Sequence, residues 1–445
     1  MTMYNLPVER MTVSPPPRLR GTVRVPGDKS ITHRALLFNA VAEGDATITG
    51  FLDAADTRDT LEAVRALGVD VDEPGEGRLV VRGRGRAGLT EAADVLDCGN
   101  SGTTIRLLSG LLAGFPFMSV LSGDGSLRRR PMGRIVTPLR ALGAQVTARA
   151  EGTLPPIVIE GGPLAGGQHI TTPVASAQVK SAILLAGLAA DGPTQVTEPA
   201  HSRDHTERML GAMGADVTIE GMSVTLEPPD GDLQAIDVQV PGDISTAAAW
   251  IVAATLHPDA DLVLESVGVS RSRAGILDVL RAMGADIELQ DPRVVGGEPV
   301  ADLHVRSAAL RGVRIDGVVV PRAIDELPLL ALAGALAEGD TVIADAAELR
   351  VKESDRVATT AATLRALGAE VEEHDDGLAV AGGARLRGAP VEAAGDHRLA
   401  MLGAVAGLLA EGETTVSGAG AVSVSYPDFW GDLARVGAAP VAART

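Results

Sequence analysis

Leu139-Arg-Ala-Leu-Gly-Ala-Gln-Val-Thr147 reads as the end of a helix, a glycine turn and the start of an alternating strand. The chain repeats this pattern at 64–72, 210–220, 280–290, 364–374 and, more loosely, 433–440. The glycines are Gly68, Gly143, Gly214, Gly284, Gly368 and Gly437, spaced 75, 71, 70, 84 and 69 residues apart. Glycine adopts a left-handed conformation without steric cost, so each marks a helix C-terminus that reverses into a strand. Between the markers runs a second recurring unit: a small-residue apolar helix, a glycine turn and a β-rich stretch. Residues 33–50, 179–198, 327–345 and 397–418 are examples. Helices of Ala, Leu and Gly with so few charges are expected to be buried on nearly all sides. The predicted class is α/β, six times over.

The six units fall into two sets of three. Val23-Arg-Val-Pro-Gly-Asp28 is echoed by Val238-Gln-Val-Pro-Gly-Asp243, which sets Pro26 and Pro241 215 residues apart. A Pro-Gly step leaving a strand is a turn of restricted geometry. At matched points of two halves, the steps read as crossings between two similar domains. One domain is placed at 26–240, and the other takes 1–25 and 241–445. A chain of 445 residues also exceeds what one core usually serves. The cleft between the domains is the expected ligand site.

Composition narrows the function. The 39 Lys and Arg against 58 Asp and Glu leave a net charge of −19. Such a chain repels nucleic acid and anionic lipid, and two Trp, two Tyr and five Phe are too few for a base-stacking platform. A single cysteine excludes an intramolecular disulfide, a Cys-rich zinc site and CxxC redox chemistry. The N-terminus has no apolar leader-like run, and no apolar run reaches about 18 residues. A soluble, cytoplasmic monomer is expected. One detail stands out: 36 of the cations are arginine and only Lys29, Lys180 and Lys352 are lysine. Those three places point to a need for a compact ammonium in place of a planar fork.

The segments that open the buried helices are rich in capping residues. They are Gly27-Asp-Lys-Ser-Ile-Thr-His-Arg34, Cys98-Gly-Asn-Ser-Gly-Thr-Thr-Ile-Arg106, Ser176-Ala-Gln-Val-Lys180, Asp243-Ile-Ser-Thr246, Ala323-Ile-Asp-Glu-Leu-Pro328 and Gly395-Asp-His-Arg398. Capping explains their Ser, Thr, Asn and Asp. It does not explain Lys29, Arg34 and Arg398, because a cation in a first helical turn opposes the helix dipole unless an anion neutralises it. The outer helices open on further basic clusters at 123–131, 201–206, 270–273 and 350–356. Solvated surface charge accounts for any one cluster. Several at equivalent points of a repeat suggest a focused cleft for a small, highly charged anion.

Familiar signatures fail. Asp28 occupies the last glycine position of a Walker A loop, and Gly83-Arg-Gly-Arg-Ala-Gly88 leads into loop sequence. His201 and His205 have zinc-pair spacing without a third ligand. Cys98 is read as buried and structural rather than activated.

Taken together, Pro26–Arg34, Gly99–Arg106, Arg129-Arg-Pro-Met132, Arg350-Val-Lys-Glu-Ser-Asp-Arg356 and Gly395-Asp-His-Arg-Leu-Ala-Met401 closely resemble the 5-enolpyruvylshikimate-3-phosphate synthase family of enolpyruvyltransferases. The resemblance spans about 18–435. It implies two domains, each of three βαβαββ repeats around a pseudo-threefold axis, the inverted α/β barrel. It implies transfer of the enolpyruvyl group of phosphoenolpyruvate to the 5-hydroxyl of shikimate 3-phosphate, on the way to chorismate, with no metal or cofactor. By the same resemblance, Lys29, Ser30, Arg34, Ser176, Ala177, Gln178, Ser202, Arg203, Asp325 and Lys352 hold shikimate 3-phosphate. Lys29, Gly102, Arg130, Gln178, Arg356 and Arg398 hold phosphoenolpyruvate. Glu353 and Asp325 would be proton donor and acceptor, with Lys29 beside them, and glyphosate is the implied inhibitor. From the residues alone, Asp325 reads as an N-cap and Glu353 as a surface ion pair.

Three places depart from the best-studied bacterial pattern. Val424 stands where some members have lysine, so either the donor set there differs or Lys180 supplies the charge; Ala177 replaces a serine; and Arg203-Asp-His205 replaces a tyrosine region. Two rival readings remain. One is the sister enolpyruvyltransferase acting on UDP-N-acetylglucosamine, whose opening motif has Lys-Asn in place of Lys29-Ser30. The other is a non-catalytic binder of phosphorylated metabolites, which would not need Asp325 and Glu353 together.

Overall fold

The computed structural model describes residues 9–75 and 77–442. Residues 1–8, which carry part of the leader expectation, lie outside the described residues. Among the described residues no helix is long and apolar enough to cross a membrane.

The described residues divide into two compact units, one within 27–241 with 294–298, the other of residues 9–26, 242–293 and 299–442. Each unit has its own hydrophobic core. In the first, the apolar helices Lys29–Ala40, Gly102–Leu112 and Ala177–Gly187 are the buried elements. Ile244–Leu256, Leu327–Leu336 and His397–Gly407 play that part in the second. Close packing needs glycine at Gly110, where a Cβ would sit 2.1 Å from the Ala182 carbonyl oxygen. The six marker glycines, Gly68 to Gly437, all have positive φ, as a helix that reverses into a strand requires.

Every unit contains three sheets built to one plan. A short edge strand lies parallel to the strand that follows the buried helix, and an antiparallel strand lies on that strand's other side. The middle repeat of the first unit runs Leu96–Asp97, Gly102–Leu112, Met118–Ser122, Gly133–Ala141, Gln145–Ala148 and Leu154–Glu160, a βαβαββ order. Distant parts of the chain complete other repeats. Arg10–Val13 pairs antiparallel with Thr414–Ser417, and Leu19–Val23 lies parallel to Ala260–Leu264. Leu233–Gln234 likewise supplies the edge strand beside Ala42 and Glu43. Mixed sheets packed against helices are the expected α/β class.

The crossings are tightly held. Asp28 N donates to Pro241 O at 2.8 Å, and Asp243 N to Pro26 O at 2.9 Å. A Cβ on Gly27 would meet the Gly50 carbonyl oxygen at 2.0 Å, so no larger residue fits.

Candidate active site

Capping is the local rule at the buried helices, and its exceptions are informative. Asp28, Ser101, Asp243 and Asp396 each accept a backbone N–H of their helix's first turn. Ser176 and Glu326, at the other two helices, do not. Ser176 instead donates its backbone N–H to Glu198 Oε1 at 2.8 Å. Glu326 instead accepts from Arg273 Nη1 at 2.8 Å.

In the first unit, the Lys29–Ala40 helix start carries the cations foreseen there. Lys29 Nζ lies 3.0 Å from Asp56 Oδ2. Arg34 is 2% exposed, and its guanidinium donates to Thr206 Oγ1 (2.7 Å), Ser181 Oγ (2.7 Å) and the Ser30 carbonyl (2.9 Å). Among the described residues no carboxylate comes within ion-pairing distance of it. Burial accordingly pulls its pKa down to about 10. Arg203 Nη1 donates to Ser30 Oγ at 3.3 Å, which joins these two candidate residues. A buried cation held only by neutral oxygens carries an unrecovered desolvation cost.

A second cluster surrounds Gly102, the first residue of its helix. A Cβ there would lie 3.0 Å from Arg106 Nη1 and 3.2 Å from Arg130 Nη1. Arg130 donates to Asn100 Oδ1, and Arg106 to Gln178 Oε1. Gln178 Nε2 donates to Thr103 Oγ1 at 2.9 Å. Two guanidinium groups thus converge on one helix N-terminus, an arrangement that suits a phosphate or carboxylate. The sequence reading gave Arg106 no role, although it closes the Gly99–Arg106 motif.

Ser202 Oγ donates to Glu198 Oε2 at 2.7 Å, while Ala177 opens the Ala177–Gly187 helix. Lys180 does not face a ligand as expected. Its ammonium is buried between Glu198 Oε2 (2.9 Å) and Glu207 Oε1 (2.7 Å), so its charge is already used. His205 Nδ1 pairs with Glu298 Oε1 at 2.8 Å, while His201 is exposed. Among the described residues no group of three or more His, Cys, Asp or Glu is placed to hold a metal ion. Cys98 is buried, and burial pushes its thiol far above the usual range.

In the second unit, Arg356 collects the remaining candidates. Its Nε donates to Asp396 Oδ2 (2.8 Å), its Nη1 to Asp325 Oδ1 (3.0 Å) and its Nη2 to Glu353 Oε2 (2.7 Å). The capping reading of Asp325 is therefore overturned, and Glu353 is no isolated surface pair. Asp325 also lies 3.7 Å from Lys352 Nζ and 3.8 Å from Arg398 Nη2. Arg398, largely buried, makes no side-chain hydrogen bond among the described residues. Burial opposes the charge on Arg356, and Asp396, Glu353 and Asp325 more than restore it. Three cations thus stand against three carboxylates: Lys352, Arg356 and Arg398 against Asp325, Glu353 and Asp396. Asp396 was missed as a partner because, in sequence, it reads only as a cap.

The family model described as EPSP synthase (3-phosphoshikimate 1-carboxyvinyltransferase) matches residues 13–433. The chain is 56% identical over 428 residues to a 3-phosphoshikimate 1-carboxyvinyltransferase of Roseiflexus sp. strain RS-1, covering 96% of this chain and 98% of the relative. It is 54% identical over 429 residues to that of Herpetosiphon aurantiacus, covering 96% and 99%. The solved EPSP synthase of Acinetobacter baumannii superposes with a TM-score of 0.86 at 44% identity, covering 97% of this chain and 100% of that one. The enolpyruvyl transferase NikO of Streptomyces tendae, at 22% identity and a TM-score of 0.80 over 97% and 98% of the two chains, shares the fold.

Proposed function

This chain belongs to the EPSP synthase family, and we infer that it transfers the enolpyruvyl group of phosphoenolpyruvate to the 5-hydroxyl of shikimate 3-phosphate, releasing phosphate. The observation that carries this reading furthest is Arg34, a buried guanidinium whose hydrogen bonds all go to neutral oxygens. An incoming phosphate monoester supplies the missing charge and adds bidentate hydrogen bonds. We assign Lys29, Ser30, Ser176, Ala177, Gln178, Ser202 and Arg203 to the same substrate, and Asp325 and Lys352 as well. Lys29, Gly102, Arg130, Gln178, Arg356 and Arg398 take phosphoenolpyruvate, whose carboxylate and phosphate both accept guanidinium forks. We place the protein in the cytoplasm as a monomer.

The reaction balances without an external redox partner. The 5-hydroxyl oxygen bonds to the central carbon of phosphoenolpyruvate as its proton leaves, and the methylene carbon takes up a proton. The adduct then loses a methyl proton and the bond to phosphate breaks. Glu353 is assigned as proton donor and Asp325 as acceptor. An ionised carboxylate is no acid, so Glu353 must first be protonated. The charge balance around Arg356 suggests how. A phosphate brought to three cations that already face three carboxylates raises the proton affinity of the nearest carboxylate.

Glyphosate, carrying a carboxylate and a phosphonate, is expected to compete with phosphoenolpyruvate at the same cations. Gly102→Ala places a methyl about as close to the Arg106 and Arg130 guanidiniums as contact allows, so they shift by tenths of an ångström. The longer inhibitor is expected to lose more than the substrate, a discrimination by clash. Inhibition constants and KM values for the variant check this. Equal losses for both ligands would mean that the space beside Gly102 is not where they differ, and the placement of the clamp would be wrong.

A further inference from the structure

Lys180 is one of three lysines in a chain of 36 arginines. It is 3% exposed, and its partners Glu198 and Glu207 are 5% and 4% exposed. Against the pull of burial, the two carboxylates hold its pKa above the usual lysine value. A compact ammonium on a flexible stem can meet both carboxylates at once, at 2.9 and 2.7 Å. The ion pairs alone would make this a structural knot. What Glu198 does with its remaining capacity says more.

Each oxygen of Glu198 reaches a different loop. Oε1 accepts the backbone N–H of Ser176, just before the Ala177–Gly187 helix. Oε2 accepts the hydroxyl of Ser202, just before the His205–Ala212 helix. An ionised carboxylate only accepts, so both donors must point at it, and Lys180 fixes where it stands. Two residues assigned to one substrate are therefore aligned by a carboxylate that needs no contact with that substrate.

We propose that Glu198, anchored by Lys180, is a positioning residue for shikimate 3-phosphate, acting through the Ser176 amide and the Ser202 hydroxyl. The proposal rests on the assignment of those two serines made above. It predicts a selective defect, because Ser176, Ser202 and Lys180, the partners of Glu198, are none of them assigned to phosphoenolpyruvate.

The test is steady-state kinetics on Glu198→Gln, with both KM values, kcat and the thermal midpoint measured. Hydrogen bonds to a charged group are of a size that corresponds to about tenfold or more in KM for shikimate 3-phosphate when lost. KM for phosphoenolpyruvate and kcat are expected to stay within about threefold. Should Glu198→Gln not fold, Glu198→Asp withdraws the carboxylate by one methylene and is expected to show the same selectivity. An unchanged KM for shikimate 3-phosphate, or equal rises in both KM values, overturns the proposal. Ser202→Ala separates the two layers of the argument. If it raises the shikimate 3-phosphate KM while Glu198→Gln does not, only the positioning claim fails. If it has no effect, the Ser202 assignment fails and the proposal goes with it.

Discussion

Glu353→Gln and Asp325→Asn are each expected to lower kcat by about 10²–10⁴-fold, the usual share of a general acid or base. The amides keep the shape of the carboxylates and an oxygen for Arg356, which reaches Glu353 at 2.7 Å and Asp325 at 3.0 Å in the native protein. They cannot carry a proton between oxygen and carbon. Binding is expected to survive and even to tighten for anions, since each change removes a negative charge from a cluster of three cations and three carboxylates. The split between a collapsed kcat and an unraised KM is the signature. Steady-state kinetics with each substrate varied in turn reads it. Near-native turnover in both variants would remove these residues from the mechanism.

Arg34→Met is the second large effect expected, and it has two opposite signs. KM for shikimate 3-phosphate is expected to rise about thirtyfold or more, from a loss of roughly 2 kcal/mol or greater for a buried charge partner. The unliganded protein is expected to be as stable as the native one or more so. Methionine removes a buried cation whose partners are Thr206, Ser181 and the Ser30 carbonyl, all neutral. Ser181 Oγ keeps its contacts to the Ala177 carbonyl and to Thr206, so little is left unsatisfied. A binding residue kept at the expense of stability behaves this way. Thermal unfolding with and without shikimate 3-phosphate measures both, because a ligand that binds only the folded protein raises the midpoint by an amount that grows with the logarithm of its concentration over its Kd. A large fall in the unliganded midpoint with an unchanged KM would make Arg34 a core residue and nothing more.

Much of the architecture can be read in the sequence because it is written locally. The six glycines report helix ends through a conformation that other residues avoid, and the apolar helices report burial through composition. The two Pro-Gly steps mark where the chain passes between its two units. What could not be read depends on partners far apart in the chain. Nothing near Arg10–Val13 says that it will pair with Thr414–Ser417.

The same division runs through the site. Cations in first helical turns were visible because they break a local electrostatic rule. Asp325 looked like a cap because its real partner, Arg356, lies 31 residues on. Lys180 looked like a spare charge because Glu198 and Glu207 come from other elements. Glu198 gave no signal at all, since a lone glutamate after a strand is ordinary surface composition.

The most direct test of the central claim is to follow inorganic phosphate released from phosphoenolpyruvate by the purified protein. The account predicts release when shikimate 3-phosphate is also present, in equal amount to the enolpyruvyl product, and none when it is omitted. Release without shikimate 3-phosphate, release supported instead by UDP-N-acetylglucosamine, or binding of both substrates with no release would contradict it.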